Sequence, residues 1–256
     1  MKKSKRLSIA LSALAAHASE PLKRLATLMT GDSGEAAGAG SQHFALAIFD
    51  FDGTLADSFH WFASELNEVA RVWDFRAVAA ADQTRLRQMS APALFRELQV
   101  ARWTRPWIAR DLRRRMARDI ERIDCFAGVD GMLRQLADSP LRLAIASSNT
   151  ADNIRRVLGP ELSARIDAFE CGIGLGGKQR RLARLCRRLG VSPKRALYIG
   201  DEVRDMIAAR RAGMAAGAVT WGYNHEQALR ARGPDILFHH VAEIPAVLLA
   251  DASRPG

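Results

Sequence analysis

The chain has 256 residues, 48% of them hydrophobic, and a formal net charge of +10 at pH 7. This length predicts one large domain or two smaller ones, and no apolar run approaches the roughly 20 residues that a membrane-spanning helix needs. The cysteines, Cys125, Cys171 and Cys186, show neither the spacing of a zinc site nor that of a disulfide framework, so we expect a soluble protein of the cytoplasm.

Residues 1–41 are predicted to be a basic extension that ends in a flexible linker rich in glycine and alanine. Basic residues come before an apolar segment, residues 7–16, as they do in a secretory signal. Serines interrupt that segment, and its helical character continues beyond it. A basic amphipathic helix and an overlong translation start, with Met29 as the alternative start, are the rival interpretations. A secretory signal in residues 1–18 is the less favoured one.

An apolar run at residues 44–49 predicts a buried strand, and two aspartates follow it. Because side chains alternate faces in an extended backbone, Asp50 and Asp52 project in the same direction. Two carboxyl groups held this close either share a divalent cation or divide into an ionised nucleophile and a protonated acid. Gly53 permits a backbone conformation closed to other residues, and Thr54 adds a hydroxyl group. The alternative is that this Asp-x-Asp-Gly sequence is only a surface turn.

The segment that follows, residues 58–138, has helical periodicity and no strand-like run. It is too long for a simple crossover connection, so we expect a helical cap subdomain inserted into a core of residues 42–57 and 139–250. Three further continuous apolar runs in this core predict parallel strands that are covered on both faces. They lie at residues 141–146, 196–199 and 215–220. The predicted fold is therefore α/β, a doubly wound parallel sheet with an inserted helical cap.

Polar residues gather where the predicted strands end. Because the carboxyl ends of parallel strands meet at one edge of a sheet, we expect them to converge with Asp50 and Asp52 on one crevice. Carboxylate and hydroxyl oxygens with open coordination positions suit Mg²⁺. The sequence therefore predicts a magnesium site at this edge. The residues that follow the later strands are Ser147, Ser148, Asn149, Asp201, Glu202 and Asp205.

Lysine is rare in this arginine-rich chain, and beyond residue 41 it occurs only at Lys178 and Lys194. Lys178 begins a predicted helix, where the positive end of the helix dipole disfavours a cation. An ordinary surface charge is the alternative, but this mismatch favours a functional role, and a compact ammonium group suits a position among carboxylates and a phosphoryl group. The same helix has a basic outer face that includes Arg180, Arg184 and Arg187. We interpret this face as solvated, with nucleic-acid binding as the alternative.

Taken in order along the chain, these motifs resemble those of the haloacid dehalogenase-like hydrolases with a helical cap. Residues 50–54 are similar to the first motif of that family, Ser147 to the second, Lys178 to the third and residues 200–205 to the fourth. Within the family, the chain looks most like the phosphoglycolate phosphatase-like proteins. The resemblance begins at about residue 44 and does not cover residues 1–41.

The resemblance implies a magnesium-dependent phosphatase that hydrolyses a small phosphomonoester. Asp50 would attack the phosphoryl group to form an aspartyl-phosphate, and Asp52 would protonate the leaving alcohol and then activate water. Ser147 would bind phosphoryl oxygens, and Lys178 would neutralise charge. The family pattern places Mg²⁺ between Asp50, the main-chain carbonyl of Asp52 and Asp201. Supporting roles around the substrate or the metal fall to Gly53, Thr54, Ser148, Asn149, Glu202 and Asp205.

Departures from the family pattern leave some points open. Glu202 stands where many relatives have serine or threonine, so either Glu202 or Asp205 completes the metal shell. Asp52 argues against dehalogenation, and the absence of lysine from residues 57–140 argues against a phosphonate hydrolase. A sugar-phosphate mutase and a catalytically weak scaffold that binds nucleic acid or a protein partner remain alternatives. Candidate cap contacts for a substrate anion are Arg85, Arg87 and Arg96.

Overall fold

The computed structural model describes residues 44–79, 82, 85, 89, 91–172 and 177–250. The predicted extension, residues 1–41, lies outside this part of the chain. All the described residues belong to one compact unit that begins at Gln42, so the separate cap at residues 58–138 stays a prediction. Within the described ranges, the helices are all too short or too polar to cross a membrane.

A six-stranded parallel sheet forms the centre of the fold, with the strand order β3-β2-β1-β4-β5-β6. The central strand β1 pairs with both β2 and β4, and Phe49 lies beside Ile145 on one side and Ile199 on the other. The predicted doubly wound α/β fold is confirmed. The strands are β1 (Leu46–Phe49), β2 (Arg142–Ala146), β3 (Ala168–Glu170), β4 (Ala196–Gly200), β5 (Ala215–Val219) and β6 (Ile236–Phe238).

Helices cover both faces of this sheet. Side chains of α4, α5 and α9 pack on one face, and side chains of α6 and α7 pack on the other. Two short 3₁₀ helices, Ile120–Arg122 and Pro193–Arg195, complete the connections. The described α-helices are α1 (Phe59–Trp73), α2 (Ala91–Glu97), α3 (Arg105–Arg118), α4 (Val129–Ala137), α5 (Ala151–Ala164), α6 (Lys178–Leu189), α7 (Val203–Arg211), α8 (Glu226–Arg230) and α9 (Glu243–Leu249).

Strand β1 shows why the strand sequences are continuously apolar. Ala47 and Phe49 belong to the hydrophobic cluster on one face of the sheet, whereas Leu46 and Ile48 belong to the cluster on the other face. All four side chains have no exposed surface. Alternation of side chains in an extended backbone therefore buries every residue of the strand when helices cover both faces.

A third hydrophobic cluster lies among the helices between β1 and β2. Val69 of α1, Leu98 and Val100 after α2, and Ile108 of α3 are its buried members. Partly buried side chains such as Leu66 pack around them. These helices thus share apolar side chains with one another, as the helical periodicity of this segment predicts.

Helix α6 is amphipathic, as its sequence predicts. Leu182 and Leu185 are fully buried against the sheet, and Arg180, Arg184 and Arg187 are exposed. The face is less uniformly basic than the sequence indicates, because Arg181 forms an ion pair of 2.5 Å with Glu170. Glu170 ends β3, a strand that the sequence pattern did not reveal.

Candidate active site

Asp50 directly follows β1 and is only 4% exposed. Its Oδ1 accepts a hydrogen bond of 2.8 Å from the main-chain N–H of Phe51, and its Oδ2 accepts one of 2.7 Å from Nζ of Lys178. Burial by itself would raise the pKa of Asp50, but the positive charges of Lys178 and Arg204 outweigh burial and lower the pKa. Asp50 is therefore an ionised carboxylate at neutral pH.

Asp52 has the opposite electrostatic environment, although it is only two residues away. Burial, and then the negative charge of Asp50, raise the pKa of Asp52 to about 7. Nδ2 of Asn149 donates to both carboxyl oxygens, at 3.3 and 3.1 Å. The pKa values of the two carboxyl groups thus move in opposite directions, which is the kind of division that the sequence predicts as one alternative for this pair.

The turn after Asp52 fixes Thr54 beside a third aspartate. Gly53 adopts a φ of +76°, a conformation that favours glycine. A Cβ at this position would also lie 2.8 Å from Cγ of Asp201. The hydroxyl group of buried Thr54 donates a hydrogen bond of 2.9 Å to Oδ1 of Asp201. The Asp-x-Asp-Gly sequence is therefore a turn that packs against a buried carboxylate rather than a surface turn.

Asp201 directly follows β4 and has no exposed surface. The main-chain N–H of Tyr223 donates to its Oδ2 at 2.7 Å. Gly222 lies so close that an added Cβ would overlap both Asp201 and the main-chain oxygen of Gly53. Burial, followed by the charges of Glu202 and other nearby acids, raises the pKa of Asp201 well above its ordinary value. Sequence reasoning missed the contacts of residues 222–223, for which a glycine shortly after a strand was the available signal.

Carboxylate oxygens of Asp50, Asp201 and Asp205 lie within 4.8 Å of one another. All three side chains are buried. The ammonium group of Lys178 contacts two of them, Asp50 and Asp205. Hard oxygen donors with excess negative charge match the ligands that Mg²⁺ takes in proteins. The donor set therefore fits the predicted cation.

Lys178 bridges two of these carboxylates. Its Nζ lies 2.7 Å from Oδ2 of Asp50 and 2.7 Å from Oδ1 of Asp205. The second oxygen of Asp205 accepts the main-chain N–H of Glu202 at 3.0 Å, as part of a capping box at the start of α7. Asp205 thus holds Lys178 in place. Glu202 instead forms an ion pair of 2.5 Å with Arg204, a residue that sequence reasoning missed.

The polar side chains that follow β2, at residues 147–149, differ in whether they line a cavity. Ser147 has no exposed surface, and its Oγ accepts a hydrogen bond of 3.2 Å from the main-chain N–H of Asn149. Ser148 and Asn149 line a cavity that also includes Asp50 and Asp52, whereas Ser147 is not part of its lining. The structure thus gathers the acidic residues and Lys178, and Ser147, like Lys178, is not among the residues that line this cavity.

Two of the predicted cap contacts do not line this cavity. Arg85 is paired with Glu97 at 2.9 Å, and Arg96 is exposed. Arg87 lies outside the described residues. The arginines of α3 that do line the cavity are Arg105 and Arg113, and they were not distinguished from the other arginines of this helix by their sequence positions.

Comparisons with known proteins agree with this arrangement. Residues 47–219 match the family model described as haloacid dehalogenase-like hydrolase. A phosphoglycolate phosphatase from Synechococcus elongatus is 35% identical over 203 residues, which are 79% of this chain and 94% of that protein. A phosphoglycolate phosphatase from Haemophilus influenzae is 25% identical over 226 residues, which are 80% of this chain and 98% of that protein.

Solved structures share the same fold. A haloacid dehalogenase-like family hydrolase from Streptococcus pneumoniae has a TM-score of 0.66 at 20% identity, covering 79% of this chain and 97% of its own. CbbY from Rhodobacter sphaeroides, determined in complex with phosphate, has a TM-score of 0.64 at 22% identity, covering 80% of this chain and 99% of its own. At these identities the likeness shows the fold alone.

Proposed function

Since the chain belongs to the haloacid dehalogenase-like hydrolases, we propose that it is a magnesium-dependent phosphatase that hydrolyses a small phosphomonoester. The observation that carries this proposal is the buried cluster of Asp50, Asp201 and Asp205 carboxylates, with Nζ of Lys178 2.7 Å from Oδ2 of Asp50. Next to it lies Asp52, whose pKa is raised by burial to about 7. The relatives named phosphoglycolate phosphatase support the substrate class. A cytoplasmic location and a small phosphorylated metabolite as substrate belong to the same proposal.

Asp50 is the proposed nucleophile. One of its carboxylate oxygens forms a bond to phosphorus as the bond between phosphorus and the leaving oxygen breaks, which gives an aspartyl-phosphate. Its contacts with the Phe51 N–H and with Lys178 fix the orientation of the carboxylate. A fixed nucleophile is what this reaction needs most, because phosphoryl transfer depends chiefly on positioning and charge neutralisation.

Asp52 is the proposed proton carrier. In the first step it gives its proton to the leaving oxygen, and in the second it takes a proton from the water that attacks the aspartyl-phosphate. A pKa of about 7 suits both steps, because such a group gives up and regains a proton near neutral pH. The amide of Asn149 holds the carboxyl group in one orientation.

Charge neutralisation is assigned to Lys178 and to the cation. Asp50 and Asp201 would hold Mg²⁺, with the main-chain carbonyl of Asp52 as the further ligand that the family pattern implies and Asp205 beside them. The cation would supply positive charge next to the phosphoryl oxygens. Asp205 keeps the ammonium group of Lys178 beside Asp50. Binding of phosphoryl oxygens by Ser147 stays part of the proposal.

The first test is hydrolysis of para-nitrophenyl phosphate with and without Mg²⁺ by wild type and by Asp50→Asn. We expect the substitution to lower kcat by at least about 10³-fold, because it removes the nucleophile. Asp57→Asn is the matched control, since Asp57 belongs to the same segment but is exposed. Equal rates for wild type and Asp50→Asn would show that the proposal is wrong.

The second test separates the two steps. With Asp52→Asn, nitrophenolate is a good enough leaving group to depart without a proton, whereas attack of water still lacks its base. We expect a burst of about one nitrophenolate per active site, followed by turnover slowed by about 10²- to 10⁴-fold. Slow, linear release without a burst would contradict the assignment of water activation to Asp52.

A further inference from the structure

The cavity beside Asp50 and Asp52 is much larger and more apolar than the reacting group requires. Its volume is about 280 Å³. Most of the described side chains that line it come from α1, α2, α3 and the segments that join them. They are largely aliphatic or aromatic, and include Phe59, Phe62, Leu66, Leu98, Ile108 and Leu112.

The size of this cavity exceeds that of a phosphoryl group alone. An apolar cavity of about 150 Å³ is sufficient to hold benzene. With the phosphorus next to Asp50, the remaining space therefore accepts an organic group of roughly the size of a six-membered ring. A leaving group as small as glycolate would leave most of this space unfilled.

Two arginines of α3, Arg105 and Arg113, also line this cavity, and Nε of Arg105 is buried without a hydrogen-bond partner among the described residues. Nη1 of Arg113 donates to the main-chain oxygen of Ser148 at 3.4 Å. The guanidinium group of Arg105 lies 4.7 Å above the ring of Phe95 and donates to the main-chain oxygen of Val100 at 3.4 Å. The cavity is therefore apolar over most of its described lining but includes these guanidinium groups.

We propose that the preferred substrates are phosphomonoesters of an apolar alcohol, of about six carbon atoms, rather than 2-phosphoglycolate. This inference rests on the phosphatase function proposed above and specifies the group that the phosphatase removes. The phosphoryl group binds beside Asp50, and the organic group lies against α1 and α3. Burial of that group supplies the binding free energy that separates good from poor substrates.

The test is a series of n-alkyl phosphates from methyl to hexyl, with 2-phosphoglycolate assayed in parallel. The leaving groups in the alkyl series have closely similar chemistry, so differences report binding of the chain. We expect kcat/KM to rise about two- to fourfold with each methylene group, the upper figure being that of complete burial. Hexyl phosphate should exceed 2-phosphoglycolate.

Variants that fill the cavity test where the chain binds. Ala63 of α1 and Ala109 of α3 both line it, and replacing either with leucine should reduce the hexyl-to-methyl ratio of kcat/KM at least tenfold. Ala117→Leu is the control, because Ala117 lies on α3 outside the lining. This control should keep the wild-type ratio.

The outcomes distinguish this inference from the function on which it rests. A flat alkyl series, or a preference for 2-phosphoglycolate, would overturn the inference while hydrolysis that depends on Asp50 would still support the phosphatase. An unchanged hexyl-to-methyl ratio in both cavity variants would also overturn it. If wild type hydrolyses none of these esters faster than Asp50→Asn does, both proposals are wrong.

Discussion

Replacement of Gly222 by alanine should create a steric clash with Asp201 and Gly53. An added Cβ would lie 2.5 Å from Oδ2 of Asp201 and would also overlap the main-chain oxygen of Gly53. Since non-bonded carbon contacts are favourable at about 3.5–4.0 Å, the loop or the carboxylate must move by roughly 1 Å. Overpacking of this kind costs about 1–3 kcal/mol, and a displacement of about 1 Å at a reacting centre can cost 10²-fold in rate.

Urea unfolding and steady-state kinetics with para-nitrophenyl phosphate would measure both effects. Gly222→Ala should lower the free energy of unfolding by about 1–3 kcal/mol and kcat/KM by about 10²-fold, with more Mg²⁺ needed for half-maximal activity. Gly131→Ala is the matched control, because a Cβ there would have no atom within 4 Å and alanine favours a helix. Wild-type stability and Mg²⁺ dependence in Gly222→Ala would refute the steric argument.

Two further substitutions test single contacts. Thr54→Val removes the buried donor to Asp201. We expect it to lower the free energy of unfolding by about 1.5–3 kcal/mol and the affinity for Mg²⁺ by about tenfold. An unchanged urea midpoint and an unchanged Mg²⁺ titration would contradict this. The hydrogen bond from Arg118 lowers the pKa of Asp119 to about 2, so its stabilisation is present above pH 4 and lost as pH falls towards 2. Asp119→Asn also alters the contact with Trp61, and it should lower the free energy of unfolding at pH 7 by about 0.5–1 kcal/mol. If the difference in stability from wild type stays constant down to pH 2, Asp119 is not the group that causes this loss of stability in acid.

The fold could be predicted because its four longest strands are buried on both faces. Each is a continuous apolar run in the sequence, and the predicted strands correspond to β1, β2, β4 and β5. The edge strands β3 and β6 were missed, since three residues such as Ile236–Phe238 are too few to show a period. The unexpected pairing of Arg181 with Glu170 follows from the same gap, because Glu170 belongs to β3.

The candidate site could be predicted as a set of residues but not as a network. Asp50 and Asp201 were identified because each directly follows an apolar run that becomes a neighbouring strand. Which side chain pairs with which depends on loop geometry that no spacing encodes. Capture of Lys178 by Asp205, and the turning of Ser147 towards the main chain of Asn149, therefore appeared only in the structure.

Tyr223 joins two parts of the molecule that would bind different ligands. Its main-chain N–H is bonded to Asp201, while its ring stacks on Phe62 at 5.7 Å and packs edge-on against Phe59 at 5.4 Å. A cation bound beside Asp201 and an organic group bound against α1 would both affect Tyr223 through these contacts. Thermodynamic linkage then makes their effects reciprocal: by whatever factor the organic group changes the affinity for the cation, the cation changes the affinity for the organic group by the same factor.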